Sequence, residues 1–310
     1  LQDFTTGSWA LFRNPDRKII GLNVQVFDAG KHGALPLVCD AQVGLERLSA
    51  ALAGRRAPEV WRARAASEKA RWIEAAATAT AATNVALPSD AQVIGAVQRA
   101  SDPSDIVVCA AGGLPGELHK LWNASEPGGY HLEYGYSCMG YEIAGGLGVK
   151  MARPDREVIV MVGDGSYLMM NSEIATSAML GKRLTIIVLD NRGFGCIDRL
   201  QRATGGESFN NLLERTRHEA LPQIDFVAHA ASLGALAEKA ASLAELEAAL
   251  RRARTAPRTS VIVIDTDPRA STAAGGHWWD VAVPEVSDRA EVRSARAAYE
   301  SALKDQRLAE

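Results

Sequence analysis

The chain has no long apolar run, no surplus of either charge and few cysteines, and each shortage removes a class of protein. Its uninterrupted apolar stretches, such as Val158–Val162 and Ile186–Leu189, are strand-sized. A helix that spans a bilayer needs about 20 such residues, so no membrane span is expected. No basic segment followed by an apolar stretch marks a signal peptide. Lys and Arg total 34 against 37 Asp and Glu, a formal charge of −3. That balance offers no field or patch for a phosphodiester backbone, so no nucleic-acid partner is expected. Four cysteines (Cys39, Cys109, Cys138, Cys196) lie far apart with no CxxC pair. This argues against a disulfide framework and a zinc site, and fits a cytoplasmic location. No GxGxxG follows a strand with an acid about 20 residues on, which removes a dinucleotide site.

What is present is ordinary globular composition, 47% hydrophobic and 23% charged over 310 residues, enough for about two domains. The chain opens Leu-Gln-Asp-Phe and is strand-like by Lys18, as if it were the C-terminal part of something longer. Lys18–Phe27 and Leu35–Cys39 read as strands around a turn-rich loop at 28–33, followed by helical spacing over Ala41–Leu52. Residues 1–53 are therefore expected to be the end of an α/β middle domain. Residues 54–83, rich in Ala and Arg, read as a linker helix that Trp61, Trp72 and Ile73 could anchor. From 84 to 287 strands and helices alternate. Helices are expected near 89–100, 115–122, 139–151, 169–180 and 235–252. Strands are expected at 105–110, 157–162, 184–189 and 260–265, with Ser89 and Asp90 as cap candidates for the first helix. Near-continuous apolar strands such as VIVMV suit a parallel sheet buried on both faces, a doubly wound α/β fold. Residues 288–310 read as a helical tail.

Glycine placement points to the site. Fifteen of 27 glycines fall between Gly112 and Gly195, several where a strand hands over to a helix. Such positions bind anions in open α/β sheets. Asp164 stands between Gly163 and Gly165 at the end of a strand, and 25 residues separate Gly165 from Asn191. That is room for one helix and one returning strand, which brings Asn191 to the same sheet edge. The Asp164 carboxylate, the Asn191 amide oxygen and a carbonyl such as that of Gly193 are oxygen ligands that suit Mg2+ with two diphosphate oxygens and a water.

The run from GDGS to DN resembles the diphosphate and metal motif of the thiamine-diphosphate enzymes. Two further segments are similar to that family. In Gly135–Gly148 (GYSCMGYEIAGGLG) the resemblance implies that Met139 wedges under the cofactor and that the Ser137 and Met139 main chains contact the aminopyrimidine. Cys138 reads as a buried small residue. In Ala110–Trp122 it implies diphosphate contacts from Gly113 and Leu114, while His119 reads as packing. With Gly163, Gly165 and Ser166 these complete the expected cofactor site. The segments at 27–41, 163–181, 189–201, 208–213 and 275–287 (GGHWWDVAVPEVS) extend the resemblance, within the acetolactate synthase-like superfamily, to the trihydroxycyclohexane-1,2-dione hydrolases. That family opens a cyclic 1,2-dione by C–C cleavage to 5-deoxy-glucuronate in myo-inositol catabolism. The resemblance implies thiamine diphosphate, Mg2+ and a homodimer or homotetramer. It also implies an activating glutamate on an N-terminal pyrimidine-binding domain of the same or another subunit. Neither Glu133 nor Glu142 stands in that glutamate's context, so no catalytic residue is assigned in this chain. FAD is conceivable by family analogy alone. A carboligase, a 2-oxoacid decarboxylase, or a cofactor-binding piece inactive without its other half are the alternatives.

Overall fold

The computed structural model describes residues 6–11, 14, 16–276 and 278–306. His277 of the GGHWWDV segment and the end of the expected tail, 307–310, lie outside the described residues. The chain divides into two compact units: residues 1–71, 203–206 and 276–310, and residues 72–202 and 207–275.

The larger unit is built on a six-stranded, all-parallel sheet. Its strands are β3 (Ile106–Cys109), β4 (Tyr130–Leu132), β5 (Val158–Gly163), β6 (Thr185–Asp190), β7 (Leu236–Ala240) and β8 (Ser260–Asp265), in the order β4-β3-β5-β6-β8-β7. Side chains alternate across a strand, so each central strand feeds two cores. Val107, Ile159, Met161, Ile187 and Ile262 pack with the helices α4 (Asp90–Ala100), α5 (Gly113–Leu121) and Leu243–Arg254. Val108, Val160, Ile186, Val188 and Val261 pack on the other face with Ile143, Leu147, Ile174 and Phe226. Both faces are buried, which is why these strands carry no polar alternation. Gly146 lies so close to β5 that a Cβ there would stand 2.3 Å from Val160 Cγ2, so the helix α6 (Tyr141–Ala152) can sit against the sheet only with glycine at that point. This is a doubly wound α/β fold.

The smaller unit holds β1 (Ile20–Asn23) paired in parallel with β2 (Leu35–Val38), helices α1 (Val26–Gly30) and α2 (Ala41–Ala51), and a late helix, Ala290–Leu303. Gln306 Nε2 donates to Ser8 O and Asp280 Oδ2, and Tyr299 donates to Asp280 Oδ1. The helix α3 (Glu59–Ala79) contributes Trp72, Ala76 and Ala79 to the larger core, whereas Trp61 and Ile73 are exposed.

Several expectations are corrected. The first strand is Ile20–Asn23 and not Lys18–Phe27, because the Asn23 side chain accepts the Gln25 N–H at 2.9 Å and turns the chain into α1. The region 28–33 is correspondingly the end of α1 and one 3-10 turn. The helix expected at 235–252 begins as strand β7. Its Ala- and Glu-rich residues are held extended by pairing with β8, and the helix starts only after the Ser242 cap, at Leu243. Local propensity yields there to tertiary pairing. Residues 163–165, where a strand end is expected, are the end of β5 and the start of helix Asp164–Met169, and the helix expected at 169–180 is Glu173–Met179. Strand β4 and the helices Gly195–Ala203 and Phe226–Ser232 were not among the expected elements. Ser89 caps α4 reciprocally with Gln92, whereas Asp90 is buried in the first turn.

Ile187 is fully buried at the centre of the sheet. Ile187→Ala is expected to cost about 2–5 kcal/mol and to lower the melting temperature by roughly 5–15 °C, measured by circular dichroism.

Candidate functional site

The connection after β3 leads to β4 on one side, and the connection after β5 leads to β6 on the other. Strand order therefore reverses between β3 and β5, and a cleft opens beyond their carboxyl ends, where such sheets bind ligands. Gly113 and Leu114 form one wall, at the start of helix α5. Gly163, Asp164, Gly165 and Ser166 form the floor, where β5 passes into helix α7 (Asp164–Met169). Asn191 and Gly193, just past β6, face them, and Met139 closes a side. Nine of the ten expected site residues therefore meet in one cleft. Ser137 is the exception; it sits at φ +53° in the loop before Met139 and does not line the cleft.

Asp164 is the electrostatic centre. Its Oδ2 accepts the Gly193 N–H at 2.9 Å, and its Oδ1 is buried with no hydrogen-bond partner. Asn191 Oδ1 is likewise buried and unpartnered. Burial first, and then the Asp190 carboxylate, push the Asp164 carboxyl from 3.8 up to about 7, against the amides of Gly193, Gly165 and Asn191. Two orphaned oxygen acceptors and a carboxylate strained by desolvation are what an oxygen-seeking divalent cation would relieve. Among the described residues no three His, Cys, Asp or Glu side chains converge. A cation here would thus need oxygens from a ligand. Gly193 has φ +144°, and a Cβ on it would stand 2.3 Å from Asn211 O. Glycine is required for the backbone to pass between Asp164 and the 211–212 segment.

Residues 110–264, half of the chain, match the family described as thiamine pyrophosphate enzyme, C-terminal TPP binding domain. The chain belongs to this family. A 3D-(3,5/4)-trihydroxycyclohexane-1,2-dione hydrolase of Bacillus cereus is 36% identical over 330 residues, covering 96% of this chain and 51% of that protein. The corresponding hydrolase of Halalkalibacterium halodurans is 35% identical, covering 99% and 51%. The chain thus spans about half the length of the curated relatives it matches. Among solved structures, the thiamine diphosphate-dependent 4-hydroxybenzoylformate decarboxylase of Rhodococcus jostii RHA1 superposes with a TM-score of 0.51 at 23% identity. It covers 60% of this chain and 34% of its own, and it supports the fold.

Around this cleft, sequence reasoning left several lining residues unassigned to the site, among them Asp90, Phe194, Cys196 and Arg199. Asp90 carried a signal, read as a cap. Burial lifts its carboxyl from 3.8 to about 6, with Arg199 as the main opposing charge and Glu117 and Asp267 adding to the rise. Arg199 Nη1 donates to Pro268 O at 2.6 Å, and its Nη2 end packs beside Gly113. Cys138 is exposed and not buried, because its N–H is drawn outward to Glu133 Oε2 at 2.8 Å. Glu133 also accepts the Tyr136 N–H and is held below its ordinary range by these two amides. The His119 ring stacks with Tyr134 and lies tilted to Tyr130, with both centroids at 6.1 Å, a packing role as expected.

The raised Asp164 pKa sets the sign of a pH effect. The folded, metal-free chain favours the protonated carboxyl, so that contribution to stability is complete below about pH 4 and fades as pH rises toward 7. Asp164→Asn should remove this dependence. At pH 8 without metal the variant should melt a few degrees above the parent chain, and at pH 4 the gap should close. Thermal melts at both pH values check this; an Asn variant less stable at pH 8 would contradict it.

Proposed function

We propose that this chain forms the thiamine diphosphate- and Mg2+-binding part of a hydrolase that opens a cyclic 1,2-dione by C–C cleavage, as in inositol catabolism. The observation that carries the cofactor reading is the pair of buried, unpartnered oxygens, Asp164 Oδ1 and Asn191 Oδ1, at the switch point of the sheet. The substrate reading is supported by the names of relatives similar over almost the whole chain.

In this reading Asp164 and Asn191, with the Gly193 carbonyl, hold the cation. The free amides at the start of α5 and the backbone of Gly165 and Ser166 take the diphosphate. Helix α5 has no side-chain cap, so its first-turn N–H groups are left for a ligand. Met139, 36% exposed at the cleft edge, supports the cofactor rings. Bound thiamine diphosphate supplies an electron sink for cleavage beside a carbonyl. The chain's own contribution is to fix the cation, order the diphosphate and shield the site. Glu133 is tied up by loop amides, and Glu142 is buried outside the cleft lining. The acid that activates the cofactor is assigned to a pyrimidine-binding domain of the same or another subunit in a cytoplasmic homo-oligomer.

Calorimetric titration should show thiamine diphosphate binding to the 310-residue chain only when Mg2+ is present. Asp164→Ala should abolish that binding. The isolated chain should consume no dione and decarboxylate no pyruvate, whereas association with a pyrimidine-binding half should restore ring opening alone. Turnover by the chain itself would place the activating acid within it.

A further inference from the structure

We propose that Glu142 is a positioning residue of this site, clamping the Met139–Gly140 turn to the helix that begins at Asp164. The ligand side of the inference rests on the cofactor reading above; the clamp itself is a property of the chain. Glu142 is the second residue of helix α6 and is 2% exposed. Ser166 Oγ donates to its Oε1 at 2.7 Å, and the Gly140 N–H donates to its Oε2 at 2.9 Å. The same N–H lies 2.8 Å from Ser166 Oγ. One carboxylate thus joins two segments 24 residues apart in sequence. One segment contributes Met139 to the cleft and the other contributes Ser166.

A helix-capping role does not account for this arrangement. An acidic residue in a first turn gains about 0.3–1 kcal/mol while exposed to water. Burying the carboxylate adds a desolvation cost that only specific partners offset. Burial does raise the Glu142 pKa, and its own amide, Ser166 and Gly140 oppose the rise. The turn it holds needs holding. Gly140 is left-handed at φ +91°, with Met170 Cβ 3.2 Å from where a side chain would begin. Glycine permits that turn but does not fix it. The clamp has a second consequence. With the Ser166 hydroxyl hydrogen given to Glu142, Ser166 offers a ligand its backbone N–H and an oxygen lone pair, not a hydroxyl donor.

The test is carbon-13 methyl NMR of the six methionines in the ligand-free chain, with Met139 assigned from a Met139→Leu sample. Calorimetry with thiamine diphosphate and Mg2+ follows. Glu142→Ala should shift or broaden the Met139 methyl while leaving exposed Met151 and Met179 in place, and should weaken cofactor binding about tenfold. Glu142→Gln can accept from Gly140 and donate to Ser166 Oγ, and should restore most of both. Ser166→Ala should give the same Met139 shift, and the double variant should be no worse than either single one. If Glu142→Ala does not fold, Ser166→Ala decides. A Met139 signal unmoved in folded Glu142→Ala and Ser166→Ala, or in Ser166→Ala alone where Glu142→Ala does not fold, with parental affinity, overturns the clamp. Failure of the parent chain to bind the cofactor would sink the functional reading and leave the methyl test standing.

Discussion

The hydrogen bond from the Gly193 amide to Asp164 Oδ2 joins the ends of β5 and β6, and the candidate site is arranged around it. It holds the chain past Asn191 against the turn that carries Asp164, and it engages one carboxylate oxygen while leaving the other free. The backbone must lie flat between Asp164 and Asn211 for this, which only glycine at 193 permits. Phe194 N–H then donates to Asn211 O at 2.7 Å and Leu213 N–H to Arg192 O at 2.9 Å. The segment 208–213 therefore braces the same loop from outside. The sheet supplies rigidity and the loops supply chemistry, the division of labour expected when functional groups are mounted on strand ends.

The cleft is also a place where charge is stored at a cost. Asp164 and Asp90 both line it and both are pushed up by burial, to about 7 and about 6. A protein selected for stability alone would place neither carboxylate there. The cost is explained if a cation neutralises one and Arg199 moderates the other. Glu142 adds a third buried carboxylate, satisfied by protein donors and hence structural in kind. The separation is physical: the unpartnered oxygens of Asp164 and Asn191 are ones that a ligand would satisfy, whereas the Glu142 carboxylate is satisfied by the protein itself.

The central sheet was legible because strands buried on both faces leave nothing polar to confuse the period, as in Val158–Gly163 and Thr185–Asp190. The spacing from Asp164 to Asn191 was legible because one helix and one strand must fit between two points on one edge. Strand β7 was not, since LAEKA has helix-forming residues and becomes a strand only by pairing with β8. Strand β4 has three residues and no room for a pattern. Asp90 and Arg199 reach the cleft from helices far apart in the chain, and no local spacing announces that convergence. Ser137 was placed by resemblance alone and sits outside the cleft, held in a positive-φ turn.

The central claim is that the two orphaned oxygens exist to bind one cation together with a diphosphate. The direct measurement is a crystal structure of the chain soaked with thiamine diphosphate and Mn2+, located by its anomalous signal. The account predicts a single strong peak within bonding distance of both Asp164 Oδ1 and Asn191 Oδ1, with diphosphate oxygens completing the shell. A peak bound elsewhere, or a diphosphate ordered in the cleft with no metal between it and Asp164, would contradict it.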